Sequence, residues 1–307
     1  MPHAIIGFYE KGEKFREELT PDRFQSILRA KETYMLAVDL EEKINLLIDN
    51  HHEFELELLK LAEAKRTWPK TEAMDAMEKR LLLDRRIVNL LSACRLYLDQ
   101  SSHAMSYLFA AESKEFKAAN ERRHKFYDSN FGYRFMEALR NYVQHRGLLV
   151  HYLVYEYHRM PRNTGEYVEF TVKPILELSY LAEDPKFKSS ILDEAKAVVG
   201  KEVDLRQPIR EYVTSIWSLH VAIRDSIARG FVDRFSLYRS VVQQYQQQDG
   251  RNILFPRAAE FDESDRTLTE TALVTHVFQY YETLCEKNRV AANLSKSYAS
   301  NYCEAKT

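Results

Sequence analysis

The chain has 307 residues and a mass of 36.2 kDa, enough for one large domain or two of ordinary size, each with its own core. Its formal net charge of -2 and pI near 6.6 exclude a molecule-wide field that would draw it to nucleic acid or an anionic membrane, so any polyanion site has to be local. Only 8 Gly and 8 Pro interrupt it, which excludes a turn-rich architecture and favours long helices.

Residues 1–19 form an N-terminal segment whose short apolar patch, AIIGF, is broken by charges and is no signal-peptide core. Residues 20–147 read as a helical bundle. Thr20 caps and Pro21 opens one long helix, or two in line, through KLAEAKR; Trp68-Pro69-Lys70 breaks it. Thr71 then caps a second helix from about Glu72 to Phe109, whose apolar residues cover most of its circumference and mark it as central and buried. A shorter helix from about 113 to 128 and a turn at Asp128-Ser129-Asn130 lead to a fourth helix, which Gly147 ends.

Residues 148–183 carry the one strong strand signal. LLVHYLVYEYHRM and EYVEFTVKPILEL flank PRNTG and predict a β-hairpin with a loop longer than the minimum. Residues 184–307 predict further helices: about Asp184 to Val199, Gln207 to Gln248 and Thr267 to Tyr298, with a polar loop over 249–266. These helices either complete the same bundle or form a second lobe. The fold class is therefore mainly α, a helical bundle with one β-hairpin insertion and additional long C-terminal helices. No segment approaches about 18 uninterrupted apolar residues, so no membrane partner is expected. Cys94, Cys285 and Cys303 are odd in number and lack metal-like spacing, which reads as reduced thiols in a cytoplasmic protein.

The fourth helix carries the stretch ALRNYVQHRG, residues 138–147. At about 100° per residue, Arg140 at zero puts Gln144 near 40°, Glu137 near 60°, Asn141 near 100°, Arg134 near 120° and His145 near 140°. Phe135, Met136, Leu139, Tyr142 and Val143 occupy the opposite side, a packing face that aims the polar sector. Between Glu121 and Arg162 stand eight Lys or Arg against four Asp or Glu, with four of the ten histidines, so a local basic island sits in a nearly neutral chain.

The string resembles the signature of HEPN domains (higher eukaryotes and prokaryotes nucleotide-binding), all-α domains whose motif is Arg, a polar residue that is often Asn, three further positions, then His. Arg140, Asn141 and His145 occupy those places. The match is close over about six residues and extends loosely over residues 70–147 through the lengths of the preceding helices. The resemblance implies a HEPN-like bundle and a metal-independent endoribonuclease working on RNA without a cofactor. It also implies a homodimer, and an antitoxin or defence-system protein as further partner in phage defence or a toxin system. Tyrosine-modified members carry Tyr two places after the motif histidine, where this chain has Gly147, which argues against that form of regulation.

The chemistry of these residues agrees with the resemblance. RNA is cut by its own 2′-hydroxyl when a group of near-neutral pKa carries protons and a fixed cation stabilises charge on the phosphate. His145 is the expected proton carrier and Arg140 the expected phosphate fork, the two converging on one phosphodiester. Asn141 orients the imidazole or binds the ribose, and Glu137, Gln144, Arg134 and Arg146 support the site or bind substrate. The bland alternative is a non-catalytic scaffold, or a module binding nucleotide or protein through the same polar face.

Other signals carry less. Arg146 and His151 repeat the five-residue interval, but Gly147 breaks the helix between them. ERRH at 121–124 lacks the second copy that carboxylate-bridged metal helices need, and the adjacent His51 and His52 point about 100° apart on a helix. No glycine-rich phosphate loop, nucleophile elbow or zinc-like Cys pair occurs.

Overall fold

The computed structural model of the chain describes residues 1–70, 73–162, 165–248, 250–291 and 293–296. The expected cap at Thr71, the hairpin tip at Asn163-Thr164, Cys303 and the far end of the last predicted helix lie outside the described residues.

In chain order the elements are β1 (His3–Tyr9), β2 (Lys14–Leu19), α1 (Pro21–Thr67), α2 (Ala73–Leu108), α3 (Lys114–Ser129), α4 (Phe131–His145), β3 (Tyr152–Arg162) and β4 (Gly165–Glu177). Then come α5 (Leu178–Ala182), α6 (Ser189–Val199), β5 (Glu202–Asp204), α7 (Arg206–Gly230), α8 (Val232–Gln244), β6 (Gln247–Gln248), β7 (Arg251–Phe261), β8 (Thr267–Ala272) and α9 (His276–Arg289). The mainly α expectation holds. Four helices up to His145 fall where periodicity puts them, and no helix among the described residues is long and apolar enough to cross a membrane.

The strand content exceeds the single hairpin expected. Residues 1–19 are a hairpin, β1 with β2, because Ala4 and Ile5 are buried in the middle of a sheet ordered β2-β1-β7-β6, with β8 on β7. The polar loop expected over 249–266 is mostly β7, and the helix expected from Thr267 begins as β8. Thr267-Leu268-Thr269-Glu270-Thr271 alternates β-branched residues with others, which suits a pleated edge. Pro256 argues against a strand in the sequence, yet it sits beside a register shift between Ile6 and Phe8 pairing, where a missing N–H is tolerated. The helix expected over 207–248 is two, broken at Phe231, and Gly230 passes so close to Phe109 that a Cβ would lie 3.0 Å from its ring. The helix expected from Asp184 starts only at Ser189, since Asp184 Oδ1 accepts the Lys186 N–H in a turn (3.1 Å).

The chain forms two compact units, each discontinuous in sequence. One holds Met1–Glu42, Ala104–Ala110 and Ala222–Val290. Its core packs Ile5, Phe15, Phe24, Ile27, Tyr34 and Val38 with Tyr238, Val241, Phe278 and neighbours. The Glu41 carboxylate, almost wholly buried, is held by the Arg224 fork (2.5 and 2.6 Å) and by Asn288 Nδ2 (2.9 Å). The other unit holds Lys43–His103, Ala111–Val221 and Ala291 with the described residues after it. It contains the three-stranded antiparallel sheet β3-β4-β5 and the helices around α4. Cys94 lies buried here, and burial pushes its thiol well up; Cys285, in the first unit, is pushed up to about 11 by partial burial.

His51, on α1 in the second unit, is buried, with Nε2 4.0 Å from Glu55. Burial lowers its pKa; Glu55 opposes this, while the positive charge of Arg210 and the neighbouring His52 add to it. A histidine held neutral in the fold takes up a proton on unfolding, so its contribution is full above the unfolded pKa of about 6.5 and is lost as pH falls through it. Denaturant unfolding at about pH 8 and about pH 5.5 is expected to show a smaller acid loss in His51→Gln than in the parent. An equal loss in both contradicts this.

Candidate functional site

α4 is fixed from both ends. Asn130 caps it, its Oδ1 accepting the Tyr133 N–H (2.9 Å). In the first turn Gly132 lies so near α7 that a Cβ would come within 3.1 Å of Pro208 Cα and closer still to Glu211, whose Oε2 accepts the Gly132 N–H (3.2 Å). Tyr133, Phe135, Met136, Leu139 and Tyr142 are buried, and Tyr133 meets Tyr212 edge to face at 5.1 Å. Four of the five residues of the packing face inferred from periodicity are thus buried, and the fifth, Val143, is half-buried.

The opposite side lines a cavity of about 440 Å³. Glu137, Asn141 and His145, four residues apart, form its floor with Arg134, Ala138 and Arg146. At this spacing the side chains rise one above another along one face. Glu137 is pinned: the Tyr212 hydroxyl donates to Oε1, and Arg95 Nη1 stands 3.8 Å from Oε2. Tyr212 is buried and its phenol is held far above the ordinary range, first by burial and then by the negative charge nearby, so it stays a donor to that carboxylate. Arg134 is equally committed, to both oxygens of Glu194 and to the Tyr127 carbonyl. His145 is exposed at the end of the helix.

The other wall comes from residues 184–191. Asp184 Oδ1 lies 2.9 Å from Arg146 Nε, and the Phe187 N–H donates to the Asp184 carbonyl (3.0 Å). This turn sets Lys186, Phe187 and Lys188 against the cavity, with Phe187 edge-on to Tyr142 at 6.4 Å and Lys188 Nζ 5.8 Å from the centre of the Tyr127 ring.

The structure therefore brings together Asn141, His145, Glu137, Arg134 and Arg146, and leaves two expected residues outside. Arg140 does not line the cavity: its Nη1 donates to Asn141 Oδ1 (3.0 Å), and its Nε is buried without a hydrogen-bond partner. Gln144 is exposed and also lies off the cavity. The cause is angular. The cavity looks along the helix at roughly 60° to 200° from Arg140, centred on Asn141 and His145, so a side chain at zero points past its rim.

Sequence reasoning missed Lys186, Phe187, Lys188, Tyr127 and Asp184. Their one trace is Lys-Phe-Lys after Asp-Pro, about forty residues from the motif and without meaning until the chain folds back. Of the discounted pair Arg146 and His151, Arg146 lines the cavity and His151 does not: His151 accepts the Glu177 N–H on Nδ1 (3.0 Å) and packs on Tyr180, and burial lowers its pKa. Among the described residues no group of three His, Cys, Asp or Glu side chains is placed to hold a metal ion. No family model matches the chain, and neither does any curated protein or solved structure.

The exit from α4 depends on Asp84 of α2. Its buried Oδ1 accepts the N–H groups of Leu149 (2.9 Å) and Val150 (2.8 Å), and Arg80 donates to the Val150 carbonyl (2.8 Å). Burial pushes the Asp84 carboxyl up, against the pull of those two N–H groups and of Arg80. Asp84→Ala strands two buried donors at about 1–3 kcal/mol each, and urea unfolding is expected to register a loss of about 2–4 kcal/mol. Asp84→Asn keeps Oδ1 and loses less; equal losses contradict the assignment.

Proposed function

We propose that the chain is a metal-independent endoribonuclease on a HEPN-like helical unit, cutting single-stranded RNA by attack of its 2′-hydroxyl. The observation that carries this reading is the cavity: Asn141 and His145 stand on its floor beside Arg146, with Lys186 and Lys188 on its other wall. At about 440 Å³ the space lies in the range of small-ligand sites, roughly 300–1,000 Å³, and suits one unstacked nucleotide.

In the reaction the 2′-oxygen bonds to phosphorus and the bond from phosphorus to the 5′-oxygen breaks. His145 takes the 2′-hydroxyl proton and returns it to the departing 5′-oxygen. The products are a 2′,3′-cyclic phosphate and a 5′-hydroxyl, and the charge building on the phosphate is met by lysine and arginine side chains. Asn141, beside the imidazole, orients it or binds the ribose. A homodimer pairing two such motifs, and a role in phage defence or a toxin pair with an antitoxin or defence-system partner, follow from the resemblance of the motif and belong to the same proposal.

The position of Arg140 favours a second reading. With its Nη1 on Asn141 and its side chain outside the cavity, Arg140 leaves a site that binds a nucleotide or an RNA end without cutting it.

Labelled single-stranded RNA incubated with the purified chain in chelator separates the two. Cleavage to cyclic-phosphate ends, slowed at least about 100-fold by His145→Ala and abolished by a 2′-deoxy substitution at the cut site, is expected. Cleavage indifferent to His145→Ala, or none on any RNA, contradicts the enzyme.

A further inference from the structure

The motif places the phosphate on Arg140, yet the cavity is furnished with other cations. Arg134 is occupied by Glu194, and Arg95 by Asp99 through two nitrogens at 2.8 Å, with Glu137 at 3.8 Å. Arg146 adjoins His145 and lines the cavity, its guanidinium set by Asp184 at 2.9 Å on the Nε side. An ion pair made through one side of the fork leaves an arginine able to offer its remaining N–H groups to a phosphate. Lys186 and Lys188 are exposed, and no carboxylate pairs with either ammonium among the described residues. Within the cavity's lining, pairing cancels Arg146 against Asp184, while Glu137 is met by Tyr212 and Arg95. Neither lysine is paired with a carboxylate among the described residues, and the two flank Phe187, an aromatic face for a base.

We infer that Arg146, Lys186 and Lys188 form the phosphate clamp of this cavity, holding the backbone of an unpaired nucleotide stacked on Phe187, and that Arg140 lies outside the clamp. The ligand's identity as single-stranded RNA rests on the proposed function; the assignment of the cations rests on the geometry alone. Arg146 replaces Arg140 as the group that meets the charge developing beside His145, and the lysines hold the adjoining phosphates. Each contact displaces counterions, so each contributes to the salt dependence of binding: about 0.7 in the slope of log affinity against log salt for a single strand.

The test is equilibrium binding, over a salt series, of a short single-stranded oligonucleotide made uncleavable by 2′-deoxy substitution. Arg146→Ala is expected to weaken binding at least tenfold and to reduce the slope by about 0.7; Lys186→Ala with Lys188→Ala reduces it by about 1.4. Arg140→Ala leaves affinity within about twofold and the slope unchanged. Arg146→Lys, which keeps the charge and loses the fork, retains the slope with intermediate affinity. Thermal unfolding of each variant separates a lost contact from a lost fold. Binding without cleavage leaves the clamp standing and removes the ribonuclease. An Arg140→Ala defect equal to or greater than that of Arg146→Ala overturns the clamp, as does a parent chain that does not bind the oligonucleotide.

Discussion

The hydrogen bond from buried Tyr212 to Glu137 sets the direction in which α4 faces. Five buried side chains hold one side of the helix in the core, and the close approach of Gly132 to Pro208 and Glu211, with Tyr133 edge-on to Tyr212, sets its first turns against α7. A carboxylate at the edge of that buried side is tolerable only with a donor, and the Tyr212 hydroxyl and Arg95 supply the compensation. Once Glu137 is fixed, helical geometry leaves Asn141 and His145 no other outlook than the cavity. Rotation of the helix by one position would bring Arg140 in and carry His145 out, at the cost of burying polar groups on the packing side. The arrangement of the cavity floor is thus a by-product of how the helix packs.

The wall opposite the floor depends on a different kind of constraint. Asp184 closes a short turn on itself through the Lys186 and Phe187 N–H groups and reaches Arg146 at the end of α4. That one carboxylate ties the segment carrying the two lysines to the residue after His145. His145 and the two lysines consequently come from segments that are remote in sequence and joined by the ion pair of Asp184 with Arg146.

The helices up to His145 are legible in the sequence because their signals are local: Pro21 after Thr20, the break at Trp68-Pro69, the turn at Asp128-Ser129-Asn130 and an apolar stripe of helical period. The strands are less so. Pro256 hides a strand by standing at a bulge, and the Thr-rich stretch before α9 has no apolar face of its own to announce it. The candidate site was half visible. His145, Asn141 and Glu137 share a polar sector that the angle of 100° per residue already delivers, whereas Arg140, placed in the same sector, stands 140° from His145 and falls outside the cavity. Lys186, Phe187 and Lys188 were not recoverable, because their nearness to His145 arises only when the chain returns after β4 and α5.

The claim on which the account rests is that a phosphate chain enters this cavity and lies against His145. Histidine-selective NMR on the ¹³C-labelled chain, titrated with the uncleavable oligonucleotide, reads that contact at the ring itself. The account predicts saturable movement of the His145 resonance, displaced to at least about tenfold higher ligand in Arg146→Ala, while that of His151 stays in place. A His145 resonance that remains still while another histidine follows the ligand contradicts it.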